Sequence, residues 1–490
     1  MTKFIVTALS ISLLTACGDD SEETTETHTG THTGTTTGTT TGTTTGTTSA
    51  DGVYAFDSRV KGESSVSYSG QTFRQVLIGD LKGSLSDLQD DIDMGSFPAP
   101  GDVSSMLSFY FDFDGDVGGK LEHGYTTDPG ALQVLYQDIS SGKNLVGKIA
   151  GNDGTGQTRD WSTDLRGFGA QGDYTPESLV RAWFDMIDDA AVDYANGMPA
   201  LGPDGTPVPA VYVTAEGHDL QQLIEKFILG AVTFSQGADD YLDDDIAGKG
   251  LLANHKEVEK DKNYTALEHA WDEGFGYFGA SRYYADMTDV EIADDRYADM
   301  DGDGAIDLLS EVCFAASVNA AKRDKGASES APTDFTADAY SGFFQGRVII
   351  AAATGPLTDD ELGDLQANRD MAVEAWEKAI MATAVHYVND TLQDMNTFDT
   401  ADYSFGDHAK HWSELKGFAM WPQFNPRSPM SDADFDLLHS LIGDAPVLPN
   451  ASASAISDYR DDLVAAKELM ADAYNFDAAN LGDENGENGW

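Results

Sequence analysis

The chain has 490 residues, with 84 Asp and Glu against 29 Lys and Arg and a formal net charge of −55. Such a field repels nucleic acid and anionic head groups, which excludes both as docking partners, and it attracts cations. Cys17 and Cys313 are the only cysteines, too few for a disulfide framework, so the fold must rest on its core.

The first predicted element is a secretory signal. Lys3 gives it a positive start, an apolar run follows over 4–14, and "LTAC" closes at Cys17. The run is too short to span a membrane. "LTAC" resembles a bacterial lipobox, which implies that Cys17 becomes a lipidated N-terminus. Gly18 after it resembles lipoproteins released to the outer membrane. The expected location is the cell envelope, with a lipid anchor as the membrane contact. An ordinary cleaved signal with a chance cysteine is the alternative.

A Thr/Gly tract occupies 18–50. It has no apolar periodicity and is expected to be a disordered tether, holding the body on the order of 30 Å from its anchor. His28 and His32 read as spacer residues there.

From residue 51 the pattern is helical. The segments 178–195, 220–242 and 368–392 space apolar residues by three and four, the mark of one buried helical face. "SSVSYSGQTFRQVLIGDLKGSL" turns from small polar residues to a helix. The Pro- and Gly-rich stretch 197–217 reads as a long loop. No series of alternating strands appears, so the fold class is all-α.

Two local patterns recur. "EKFILGAVTFSQGADDYL" from Glu225 and "EKAIMATAVHYVNDTL" from Glu377 begin 152 residues apart. "HAWDEGFGYFG" from His269 and "HWSELKGFAMW" from His411 begin 142 residues apart. This predicts two related helical bundles packed together. The expected layout is a signal over 1–17, a linker over 18–50 and a helical body over 51–490. Within the body, one bundle covers about 51–290, a connection about 291–345 and a second bundle about 346–490.

Each recurring histidine is followed by acids. Asp272 and Glu273 follow His269, and Glu414 follows His411. Helical residues three and four apart share a face, so an imidazole and a carboxylate so placed can hold one cation, as in His/Asp/Glu sites for zinc or iron. The competing expectation is capping and ion pairing. Trp271, Phe275, Tyr277, Phe278 and Trp412 read as packing residues. Gly274 and Gly417 mark places where the backbone turns or a neighbour comes close.

The connection contains "DMDGDGAIDLLSE" over 299–311. Asp299, Asp301 and Asp303 stand at positions one, three and five of an EF-hand-type loop, Gly304 at six, Ala305 at seven and Asp307 at nine. Alternating carboxylates surround a hard cation while glycine permits the sharp turn, so Ca²⁺ is the expected cofactor. Ser310 occupies position twelve, and Glu311, one place late, is the remaining expected ligand beside Asp299, Asp301, Asp303, Ala305 and Asp307. "DFDGDVGG" from Asp112 lacks the glycine at six and reads as an acidic turn.

The segments "SSVSYSGQTFRQVLI", "LQQLIEKFILGAVTFSQ", "EHAWDEGFGYFG" and "HWSELKGFA" together resemble an uncharacterised group of bacterial lipoproteins related in style to the imelysins, over about 53–448. The resemblance implies a two-bundle helical protein of the bacterial surface or periplasm, tied to iron acquisition, with a Gly-x-His-x-x-Glu hallmark. This chain departs from the hallmark. Gly217 directly precedes His218 and Gln221 replaces the glutamate, while His411 and Glu414 keep their spacing but Ala409 replaces the glycine.

Three functional expectations follow. The first is a non-enzymatic, surface-tethered lipoprotein that binds iron or another transition metal for a transporter or receptor partner, through His269, Asp272, Glu273, His411 and Glu414 converging on one pocket. The second, also implied by the resemblance, is a metal-dependent peptidase with Glu273 or Glu414 as general base. The third is a calcium-stabilised structural or docking lipoprotein. No His-Glu-x-x-His, Gly-x-Ser-x-Gly, phosphate-loop or Cys-x-x-Cys-His motif is present. Cys313, in "SEVCFAAS", reads as an inert thiol in an apolar helix.

Overall fold

The computed structural model describes residues 52–60, 62–96, 99–153 and 157–490, and helices make up about half of them. The expected signal, Cys17, and the expected tether over 18–50 lie outside the described residues. Eleven longer helices order the body: α1 (Ser69–Ser86), α2 (Asp102–Phe111), α3 (Pro176–Ala195), α4 (Leu220–Ile228), α5 (Ala266–Phe278), α6 (Ala315–Lys325), α7 (Phe335–Ala352), α8 (Asp359–Asn396), α9 (Phe405–Ala419), α10 (Asp432–Ile442) and α11 (Ala453–Tyr474). Among the described residues there are isolated β-bridges and no strand. None of these helices is long and apolar enough to cross a membrane.

Local chemistry sets the helix ends. Thr175 caps α3, its hydroxyl accepting from Ser178 N at 3.1 Å, with Pro176 in the first turn. In α5, Thr265 and Glu268 form a reciprocal capping box, and Gly279 ends the helix in the left-handed region at φ 86°. Thr358 and Glu361 repeat that box at the start of α8.

α8 is the axis of the fold. Its 38 residues span about 57 Å at 1.5 Å per residue, and α6, α7, α9 and α11 pack on it. Its middle is buried nearly all round, from Ala372 to Leu392. α4 packs on α9, and α1 packs on both α4 and α5. Consequently one hydrophobic core runs from Tyr54 to Trp490 and draws on both halves of the chain.

α4 continues into two wider π-helical turns, Leu229–Phe234 and Gly237–Tyr241. Bulky indoles pack against the glycines there: a Cβ on Gly230 would meet Trp421 at 2.7 Å, and one on Gly237 would meet Trp376 at 2.8 Å. The glycines of the His269 and His411 helices likewise serve close approach. Gly274 faces Leu242 and Gly417 faces Lys226, and neither helix turns at them. Cys313 is buried as expected, but it lies just before α6 and not in a helix. Burial pushes its thiol up to about 12.

Candidate functional site

The segment 299–311 is shaped by its own side chains. Gly302 (φ 75°) and Gly304 (φ 90°) take left-handed conformations that a side chain would strain. Asp299 Oδ1 accepts from Gly302 N and Asp303 N, and Oδ2 from Gly304 N, which wraps the backbone around the first carboxylate. Carboxylate oxygens of Asp299, Asp301 and Asp303 come within 4.8 Å of one another. Theirs is the single group of three or more His, Cys, Asp or Glu ligands so gathered among the described residues. These are hard oxygen donors, the set that suits Ca²⁺ and not a soft metal.

Two other residues of the motif act on the frame of the loop. Asp307 Oδ1 accepts from Gln133 Nε2 and Leu309 N, both at 2.9 Å, while its Oδ2 accepts from Ser310 Oγ. Glu311 is buried; it accepts from Met300 N and Asp301 N through Oε1 and from Asp307 N through Oε2, drawing the two arms together. Ile306, at position eight, is wholly buried and forms a parallel bridge with Ala131.

The acids after His269 diverge. Asp272 points into the core, where Arg347 Nε donates to it at 2.9 Å, Tyr54 OH at 2.9 Å and Ser67 N at 3.2 Å. His269 stays half-buried, stacked on Tyr264 at 4.3 Å, with Nδ1 2.9 Å from Ser67 O. Glu273 shares its face, 3.7 Å from Nε2, and also accepts from Gln71 Nε2. This arrangement leaves two residues, not three, on one face of α5.

The second pair separates as well. Glu414 is fully buried, 3.3 Å from Lys226 Nζ, while His411 Nδ1 lies 2.8 Å from Asp394 Oδ2 on α8. Burial pushes the His411 imidazole down, but the hydrogen bond and charge of Asp394 outweigh it and hold it raised to about 9. His408 Nδ1 faces the same Asp394 oxygen at 3.7 Å. Nor do the twin pairs share a pocket. Gln71 contacts Glu273, whereas Lys82 joins the ion pairs that lead to Glu414. These two residues stand about 16 Å apart along α1 by helix rise.

The structure does bring together the two fragments that resemble the Gly-x-His-x-x-Glu hallmark. The His218 ring lies 5.4 Å from that of Trp412, and Ser413 Oγ accepts from Asp219 N at 2.8 Å. His218 Nε2 meets Asp444 O at 2.7 Å, and burial lowers its pKa. Beneath them lies a layer that sequence reading missed. Lys82 Nζ and Lys226 Nζ both reach Glu225 Oε2, at 2.7 and 2.6 Å, and Lys226 continues to Glu414. Burial pushes Glu225 up, but the two lysines outweigh it and hold it at about 2. Opposed charges in this layer tie α1, α4 and α9 to one another.

Residues 178–406 match the family model described as Domain of unknown function (DUF4856). The matched stretch runs from α3 to the start of α9. The matched stretch takes in the 299–311 loop, His269 to Glu273 and the buried Glu225 and Glu377. It ends before His408, His411 and Glu414. No curated protein and no solved structure matches the chain.

Proposed function

We propose that this protein is a non-enzymatic, calcium-binding component of the bacterial cell envelope, held to the membrane by a lipid on Cys17. The observation that carries the calcium reading is the gathering of the Asp299, Asp301 and Asp303 carboxylates within 4.8 Å. The left-handed Gly302 and Gly304 support it. The carbonyl of Ala305, at position seven, and water complete the shell, while Asp307 and Glu311 hold the loop in shape. With three carboxylates and no bidentate glutamate at position twelve, the site belongs to the weak class, with Kd of about 10⁻⁴–10⁻³ M, as in extracellular modules. The lipobox-like "LTAC" and the acidic composition agree with such a setting.

The transition-metal and peptidase readings draw on the imelysin resemblance, and the geometry gives them less support. His269 and Glu273 stand apart from His411, Asp272 is held by Arg347, and Glu414 is enclosed beside Lys226. The test is thermal unfolding of the full mature chain. Calcium raises the melting temperature by mass action, magnesium at the same concentration raises it less, and Asp301→Asn removes the shift. Equal melting curves with calcium and with chelator would exclude the reading.

A further inference from the structure

Twelve large hydrophobic side chains are exposed among the described residues, and four of them fall within 117–134: Val117 (66 %), Leu121 (40 %), Leu132 (51 %) and Val134 (49 %). This arm is a short ladder with an antiparallel bridge between Glu122 and Leu135. Tyr136 N donates to Leu121 O at 3.1 Å, and His123 N to Val134 O at 3.4 Å. Leu132 and Val134 are exposed on either side of Gln133, whose side chain turns to the 299–311 loop.

Gln133 faces the calcium-type loop. Its Nε2 donates to Asp307 Oδ1 and its Oε1 accepts from Leu308 N, each at 2.9 Å. The backbones are joined as well, by Ile306 N to Gly130 O at 3.1 Å and Leu132 N to Ile306 O at 2.8 Å. The arm is thus fastened to residues 306–308, just beyond the Asp299–Asp301–Asp303 cluster. A cation that orders 299–305 also fixes 306–308, and with them the direction in which Leu132 and Val134 project.

Charge selects what covers this apolar side. Exposed Asp114, Asp116, Glu122, Asp128 and Asp138 flank it, with Lys120 as a nearby cation. A second copy would set these acids against their own images at a formal charge of −55 each, and an anionic bilayer would be repelled in the same way. A surface with an apolar centre and a Lys/Arg rim is complementary. We propose that the 117–134 arm is a calcium-dependent docking surface for a polypeptide of another protein that presents apolar side chains between basic ones. The calcium dependence rests on the proposed cation site, whereas the apolar arm is a separate observation.

The experiment uses the full mature chain and a fluorescein-labelled amphipathic helix built only from leucine and lysine, read by anisotropy at physiological salt. Binding in millimolar calcium weakens at least about tenfold in chelator and in Leu132→Asp/Val134→Asp, a change equivalent to 1.4 kcal/mol. If that variant fails to keep the wild-type helical spectrum, Val117→Asp/Leu121→Asp replaces it. Wild-type affinity in a folded variant overturns the docking surface. Unchanged affinity in chelator, with calcium uptake seen by calorimetry, overturns the coupling between loop and arm. Absence of calcium uptake overturns the cation site and the coupling together, and the aspartate variants still decide the surface. Self-association, or binding to anionic vesicles, that is lost in the same variants overturns the choice of partner.

Discussion

Arg347 Nε lies 2.9 Å from Asp272 Oδ1 with both side chains fully enclosed, and this pair separates Asp272 from His269 three positions before it. A helical face carries both residues in sequence. An arginine 75 residues further along decides where the carboxylate goes. Arg347 also donates to Ser65 Oγ, faces Glu268 Oε1 at 3.6 Å and lies over the Phe56 ring.

Removing one partner of that pair is therefore costly. Asp272→Ala leaves a buried guanidinium without its main counter-charge and is expected to lose about 3–5 kcal/mol. Asp272→Leu combined with Arg347→Met recovers part of the loss, because neither member of the pair is then left buried without the other. Urea denaturation midpoints of the three proteins measure this. A loss below about 1 kcal/mol for Asp272→Ala, the range of exposed pairs, contradicts the account.

The His411–Asp394 pair gives stability a pH dependence. The folded pKa of His411, about 9, lies above the unfolded value of 6.5, so the folded state binds the proton more tightly. The contribution is fully present below pH 6.5 and is lost as pH rises through about 9. It amounts to something on the order of 2–3 kcal/mol. Denaturation between pH 6 and 10 tests the sign, and His411→Gln flattens that part of the profile.

Close packing at glycines makes a third expectation. A Cβ at Gly346 would sit 2.0 Å from Trp271 Cζ2 in the fully buried centre, and one at Gly417 would sit 2.6 Å from Lys226 Cβ. Gly346→Ala and Gly417→Ala are each expected to destabilise by about 1–3 kcal/mol through overpacking, despite alanine's better helix propensity. Thermal unfolding that improves in either variant would show that these helices have room to spare.

What the sequence reveals follows the range of the interaction. Helices 176–195 and 359–396 are legible because a three-and-four spacing is local, and the all-α class follows from it. The Asp299–Asp301–Asp303 cluster is legible for the same reason, with all three carboxylates inside five residues. Partners brought by tertiary packing are not. Asp394 reaches His411 from the end of α8, and Lys82 reaches Glu225 from α1. Three hydrogen bonds, from Asn425, Ser428 and Tyr474, receive the buried Glu377, whose pKa burial raises to about 6. The two recurring Glu-Lys segments consequently end in different surroundings, with Glu225 ion-paired and Glu377 held by neutral donors. The π-helical turns leave no mark in the pattern, since the glycines that admit Trp421 and Trp376 resemble any helix glycines.

Glu311 separates a loop frame from a loop ligand. Its carboxylate accepts three backbone N–H groups. Glu311→Ala strands them and is expected to cost about 1–3 kcal/mol and to weaken calcium binding indirectly. Glu311→Gln keeps one good acceptor and recovers part of the affinity. Equal calcium affinity in wild type and Glu311→Ala would show that the clamp is irrelevant to the site.

Isothermal titration of calcium into the full mature chain tests the cation site most directly. One site per chain with Kd of about 10⁻⁴–10⁻³ M, abolished in Asp299→Asn/Asp301→Asn while helical content is retained, is the predicted result. No saturable calcium uptake by the wild type, or uptake unchanged in the double variant, would contradict it.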